Sequence, residues 1–173
     1  MQSKHLLFEP LTAAHAEELW PILATPAVLA WIDPQGNLLT LADLRAEFAA
    51  WTNGPVASTM PKERWFNVAI RLNISPFPAI GRLESTGYDG WGEVAYLLGE
   101  AWWGKGLAFE AMLWWQDYLA TAAPGTEWWA TVHPMNQRSI RLLERLGYRQ
   151  VDPSDRPKLQ SYDPGDYCFV HPI

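Results

Sequence analysis

Apolar positions recur at two different periods along this chain, and the change from one to the other divides it. Over Ala13–Leu23 the residues Ala16, Leu19, Trp20 and Leu23 fall at helical spacing behind Thr12, a good N-cap residue. Pro21 is expected to kink or end that helix early. Thr25-Pro26 opens a second, short helix to Trp31 with proline at its first position, and Asp33-Pro34-Gln35-Gly36 carries turn chemistry. Thr40 caps a third helix, Leu41–Trp51, which Asn53-Gly54-Pro55 ends. The texture then turns to strands. Trp65–Ile70 and Ala79–Glu84 are joined by a proline-broken hairpin, and Gly87-Tyr88-Asp89-Gly90 leads into a strand at Glu93–Leu98. Leu107–Ala122 reads as a long helix, apolar on more than one face and so expected to be buried. Trp128–Val132 is a strand, Asn136–Leu146 a helix stopped at Gly147, and Tyr148–Val151 and Tyr167–Val170 are closing strands. There is neither an internal repeat nor a linker, so the pattern predicts a single α/β or α+β domain over residues 1–173.

Composition narrows the function classes. The chain has 49% hydrophobic and 18% charged residues, which suits a packed domain rather than a disordered one. A net charge of −6 argues against non-specific nucleic-acid binding, which relies on a basic surface. The lone Cys168 allows no internal disulfide and no thiolate zinc cluster, so no metal site is expected. No apolar run approaches the roughly 20 residues of a membrane span, and no secretion signal is visible; the expectation is a soluble cytoplasmic protein. The 11 tryptophans include the pairs Trp102-Trp103, Trp114-Trp115 and Trp128-Trp129. Neighbours on a strand point to opposite faces, so Trp128 and Trp129 cannot share one core face. Core filling accounts for such residues, and an aromatic cleft or a homodimer surface is the alternative.

The chemistry concentrates in Trp103-Gly104-Lys105-Gly106-Leu107-Ala108, between a strand and a helix. Glycines allow close backbone approach, a helix N-terminus offers free N–H groups, and Lys105 adds positive charge: the stretch is an anion cradle. The spacing is neither that of a Walker A loop nor that of a dinucleotide fingerprint, whose third glycine position holds Phe109 here.

Further along, a strand is followed by Asn136-x-x-Ser139, an Arg/Leu helix and Leu146-Gly147-Tyr148. This order resembles the GNAT superfamily of acyl-CoA N-acyltransferases, and within it the ribosomal-protein N-terminal acetyltransferases and their small-molecule relatives. Glu93-Val94-Ala95-Tyr96-Leu97-Leu98 looks like the strand motif of that branch, and Trp103–Ala108 with Glu110-Ala111 like its pyrophosphate loop and helix. The match covers roughly residues 81–150. The resemblance implies a mixed, mostly antiparallel central sheet with a splayed strand pair, flanked by helices. It also implies acetyl-CoA as cofactor. The pantetheine arm would lie along Ala95–Leu98, Leu97 and Leu98 included, the pyrophosphate on Trp103, Gly104, Lys105, Gly106, Leu107 and Ala108, with Asn136 and Ser139 in the second cofactor segment. Arg138, Arg141, Arg145 and Arg149 face only Glu144 in charge there, and they either hold phosphate or form a solvated helix face.

Two departures matter. Ala101 stands where the family often has Arg or Gln, at a position that contributes mainly backbone contacts. Leu143 stands where many relatives have a tyrosine acid, so protonation of the leaving thiolate is expected to pass to Ser139, whose alternative role is to order the cofactor. Acyl transfer to an amine also needs a base. Glu93, beside the cofactor strand, is the first expectation, acting directly or through water; Glu84 on the neighbouring strand is the second, and His133, with an unperturbed pKa of about 6.5, the third. Backbone N–H near Leu98 is expected to meet the developing oxyanion. Tyr162, Tyr167, Asp163 and Asp166 are candidates for shaping the amine site. The partners expected are acetyl-CoA and an amine, either a small molecule or a protein N-terminus. A non-catalytic acyl-CoA-binding module is the alternative of another class.

Overall fold

The computed structural model describes residues 1–32, 40–55 and 62–172; the turn expected at Asp33–Gly36 lies outside them. Seven strands, β1 (Leu6–Pro10), β2 (Arg64–Leu72), β3 (Ala79–Gly87), β4 (Trp91–Leu98), β5 (Glu127–Val132), β6 (Arg149–Val151) and β7 (Tyr167–Pro172), form one sheet. Their order is β1-β2-β3-β4-β5-β7-β6. Every pairing is antiparallel except β4 with β5. That parallel seam holds register only over Trp91↔Glu127, Gly92↔Trp128 and Glu93↔Trp129. Beyond Glu93 the two strands part, which leaves the β5-facing edge of Val94–Leu98 without a partner strand.

Helices cover both faces. On one side lie α1 (His15–Leu23), α2 (Pro26–Ile32) and α3 (Leu41–Asn53), packed through Leu19, Leu23, Val28, Leu44 and Phe48 against Ala69 and Ala79. On the other lie α4 (Leu107–Ala122) and α5 (Gln137–Arg145), whose Met112, Trp115, Leu119, Ile140 and Leu143 close over Leu83, Val94, Trp128 and Phe169. Trp128 and Trp129 enter opposite faces, as strand alternation requires; Trp129 packs with Leu159, Cys168 and Val170. A Cβ at Gly92 would stand 2.4 Å from the Trp128 ring, so this glycine makes room for the indole exactly where the parallel seam is closed. Among the described residues no helix is long and apolar enough to cross a membrane, and no group of three or more His, Cys, Asp or Glu could hold a metal ion.

Two cap expectations are corrected. Thr12 does not cap α1: its hydroxyl and its N–H both meet His15 Nδ1 at 3.0 Å, and the helix begins behind Ala14 without a side-chain cap. Thr25 Oγ1 is buried without a hydrogen-bond partner, so α2 opens on Pro26 alone. Pro21 lies inside α1, which runs on to Leu23. Thr40 behaves as its sequence suggests, forming a reciprocal capping box with Asp43.

Candidate active site

The parted strands open a cleft of about 670 Å³. Its floor is the free side of β4, from Val94 to Leu98. One end is the turn before α4, where Gly104 and Gly106 adopt φ of +71° and +79°. A Cβ at either glycine would meet nothing within 4 Å, so the turn is open to a ligand. Gly106 caps α4 with no side-chain hydrogen bond, which leaves the first-turn N–H groups free of a side-chain cap. Trp103 fixes the turn to the strand by donating its indole N–H to the Leu98 carbonyl at 2.8 Å. Cations surround it on aromatic faces: Lys105 Nζ lies 4.9 Å from the Trp102 ring centre, Arg138 4.1 Å from Trp103 and Arg145 4.5 Å from Phe109. An extended arm can hydrogen-bond along the free edge of β4, and a pyrophosphate fits the positive helix end; these residues suit coenzyme A.

Of the expected cofactor residues, Leu97, Leu98, Trp103, Gly104, Gly106, Ala108, Asn136 and Ser139 line the cleft. Lys105 stacks beside it on Trp102, and Leu107 packs against the core below. Arg138, Arg141 and Arg145 also line it, whereas Arg149 lies on β6. Asn136 caps α5, its Oδ1 accepting the Ser139 N–H at 3.2 Å. This places the Ser139 hydroxyl 2.5 Å from the Tyr96 hydroxyl. Burial pushes the Tyr96 phenol up to about 12, against the hydrogen bond with Ser139, so it keeps its proton at neutral pH.

The base candidates separate. Glu93 does not line the cleft: it is buried, and its two carboxylate oxygens accept the N–H groups of Gln160 and Ser161 at 2.9 and 2.8 Å. The carboxylate anchors the tail segment, and Ser161 is the part of that segment that reaches the cleft wall. His133 is exposed beyond the end of β5, and its Nδ1 accepts the Met135 N–H at 3.2 Å. A neutral ring in that bond carries its hydrogen on Nε2 and has no lone pair left for a substrate proton. Glu84 does line the cleft, its side chain 20% exposed. Tyr162 packs under the Arg156 guanidinium, and neither it nor Asp163, Asp166 or Tyr167 lines the cleft.

Two site residues escaped the sequence, and a third was placed on the cofactor strand without its role. Tyr96 stood inside the strand motif, and the strand's alternation alone pointed it toward α5. Arg82, a charge inside the apolar strand run Ala79–Leu83, was the strongest unused signal; it lines the cleft and is 6% exposed. Glu47 on α3 stands beside it, at 3.6 Å. Burial raises the Glu47 carboxyl, and Arg82 opposes that shift.

The family model for the acetyltransferase (GNAT) domain matches residues 5–149. No curated protein matches the chain. Solved structures do. A GNAT-family acetyltransferase from Bacillus anthracis is 19% identical, with TM-score 0.74 over 99% of this chain and 97% of that one. A protein from Vibrio cholerae described as a ribosomal-protein-serine acetyltransferase is 14% identical, with TM-score 0.75 over 99% and 96%. The aminoglycoside acetyltransferase AAC(6')-Ib, solved with coenzyme A, is 19% identical, with TM-score 0.71 over 96% and 94%. At these identities the structures establish the fold, the mostly antiparallel sheet opened at β4 and β5. Matched by the family model over most of its length, the chain belongs to the GNAT acetyltransferases, whose members use acetyl-CoA.

Proposed function

We propose that the protein is an N-acetyltransferase that moves the acetyl group of acetyl-CoA directly to a primary amine, of a small molecule or a chain terminus. The observation that carries this is the cleft itself: a donor turn, a free strand edge and the Ser139 hydroxyl on the α4–α5 side, and the Glu84 carboxylate reaching the same cleft from the opposite face of the sheet. Bound there, acetyl-CoA supplies the acetyl group as a thioester. Transfer forms a C–N bond and breaks a C–S bond, so one proton must leave the amine and one must reach the thiolate. Glu84 takes the first, directly or through a water molecule. Ser139 delivers the second and regains a proton from solvent, while Tyr96, which remains protonated, donates to Ser139 and holds its hydroxyl in place. Arg138, Lys105 and the N–H groups of α4 balance the phosphate charge. Glu93 is kept out of the chemistry and positions the segment that contains Ser161.

Release of free coenzyme A from acetyl-CoA in the presence of a panel of primary amines and peptides tests this. Amine-dependent release with a mass gain of one acetyl group on the acceptor is the expected result. Tight coenzyme A binding with no turnover on any amine, peptide or protein would sink the transferase and leave an acyl-CoA-binding module.

A further inference from the structure

Beside the donor site, one wall of the cleft holds a charge cluster that acetyl transfer as such does not need. Arg82 and Glu84 are alternate residues of β3 and so point to one face of the sheet, where Glu47 of α3 meets them. The Arg82 guanidinium is enclosed by rings, 5.3 Å from the centre of Phe48 and 4.9 Å from that of Trp51. Its carboxylate neighbours stand off, Glu47 at 3.6 Å and Glu84 at 3.4 Å. Arg82 Nε and Nη1 are buried without a hydrogen-bond partner, and so is Glu47 Oε2. Unpaired donors on a buried cation are costly, and a structure that keeps them is short of an acceptor. Because both ion pairs are long, an entering oxygen can compete with the two carboxylates for the guanidinium.

The charges also fail to balance. One arginine faces two carboxylates, so the wall carries a surplus negative charge that suits an ammonium group. A plain alkylamine would meet the carboxylates and leave Arg82 unsatisfied; a plain anion would meet Arg82 and be repelled by the carboxylates. We propose that Arg82 is a specificity residue, and that the acceptor carries a hydrogen-bond-accepting oxygen on the carbon next to its amine-bearing carbon, as amino acids, amino amides and peptide N-termini do. The contact between the Arg82 and Glu84 heads sets that closeness: groups far apart on a long diamine or a sugar scaffold could not engage both. This rests on the transferase reading of the cleft and specifies its acceptor.

The test compares kcat/KM of the full-length protein for glycinamide, triglycine, glycine and propylamine, with acetyl-CoA as donor. Wild type is expected to prefer the oxygen-bearing acceptors to propylamine by more than about tenfold, and Arg82→Met to bring that ratio to about one. Among the preferred acceptors, glycine against triglycine separates a free amino acid from a chain terminus, the oxygen being common to both. Equal use of propylamine and glycinamide by wild type overturns the proposal, and so does a preference that survives in a folded Arg82→Met. The wild-type comparison stands even if the variant does not fold. Failure of the transferase reading looks different: coenzyme A binds and none of the four amines is acetylated.

Discussion

Glu84 and Glu93 sit on one face of neighbouring strands, since Glu84 pairs with Ala95 and Glu93 with Thr86. Alternation along a strand therefore cannot tell them apart. What separates them is the tail segment, which returns from far along the chain to put the N–H groups of Gln160 and Ser161 on Glu93 and leaves Glu84 open to the cleft. A carboxylate held by backbone donors outside the cleft does not reach an amine bound there, and one that lines the cleft does. Glu84→Gln is accordingly expected to lower kcat by about a hundredfold or more. Tyr96→Phe should lower kcat by about tenfold while the KM for acetyl-CoA holds, because the phenol acts on Ser139 rather than on the cofactor. Steady-state kinetics read both; an unchanged kcat in Glu84→Gln removes that residue as the base, and an unchanged kcat in Tyr96→Phe removes the phenol as the group that positions Ser139.

At the scale of the element, the start of α4 has the open, glycine-built geometry that its sequence predicts, and the reason is local. Two glycines with positive φ, no capping side chain and a preceding strand suffice to aim the helix N-terminus, and all of these lie within a few residues of one another. Gly104→Asp adds a side chain and a negative charge where the turn is open. It is expected to weaken coenzyme A binding by about a hundredfold or more with the circular dichroism of the fold retained, as calorimetry would show; normal binding would mean that the turn is not the phosphate site. The strands and the long helix α4 were legible for the same reason, since period and punctuation are local; its burial was over-read, since Leu113 is exposed. The caps at Thr12 and Thr25 were not legible, because His15 captures the first hydroxyl and burial isolates the second. Arg82 was visible as a misplaced charge, but its meaning depends on Glu47, a helix away and joined to it only through tertiary packing.

The molecule as a whole is set to lose stability on acidification in two stages. Burial holds the His171 pKa below its ordinary value of 6.5, and its Nδ1 has no partner. The unfolded chain therefore takes up that proton first, and stability falls as pH drops below 6.5. Glu18 is held below its ordinary 4.5 by the hydrogen bond from Arg71; Glu9 and Glu110 are held low against their own burial, the one by Arg71 and His15, the other by Ser3 and His5. Their contribution is complete above 4.5 and is lost as pH falls through the depressed folded values. Urea midpoints measured at about pH 7.5, 5.5 and 4 should fall at both steps, and His171→Asn should erase the first alone; a midpoint that stays level down to about pH 5 would show that His171 protonates freely in the folded protein. The parting of β4 from β5 has its own consequence at this scale. A strand edge with unsatisfied hydrogen-bonding groups is ordinarily a hazard, a template on which another chain can add itself and begin aggregation. Here that edge lies in the middle of a seven-stranded sheet with helices over both faces, so a second polypeptide cannot be laid along it. The fold thus keeps a sticky edge ready for a thin, unbranched guest while hiding it from its own neighbours in a crowded solution.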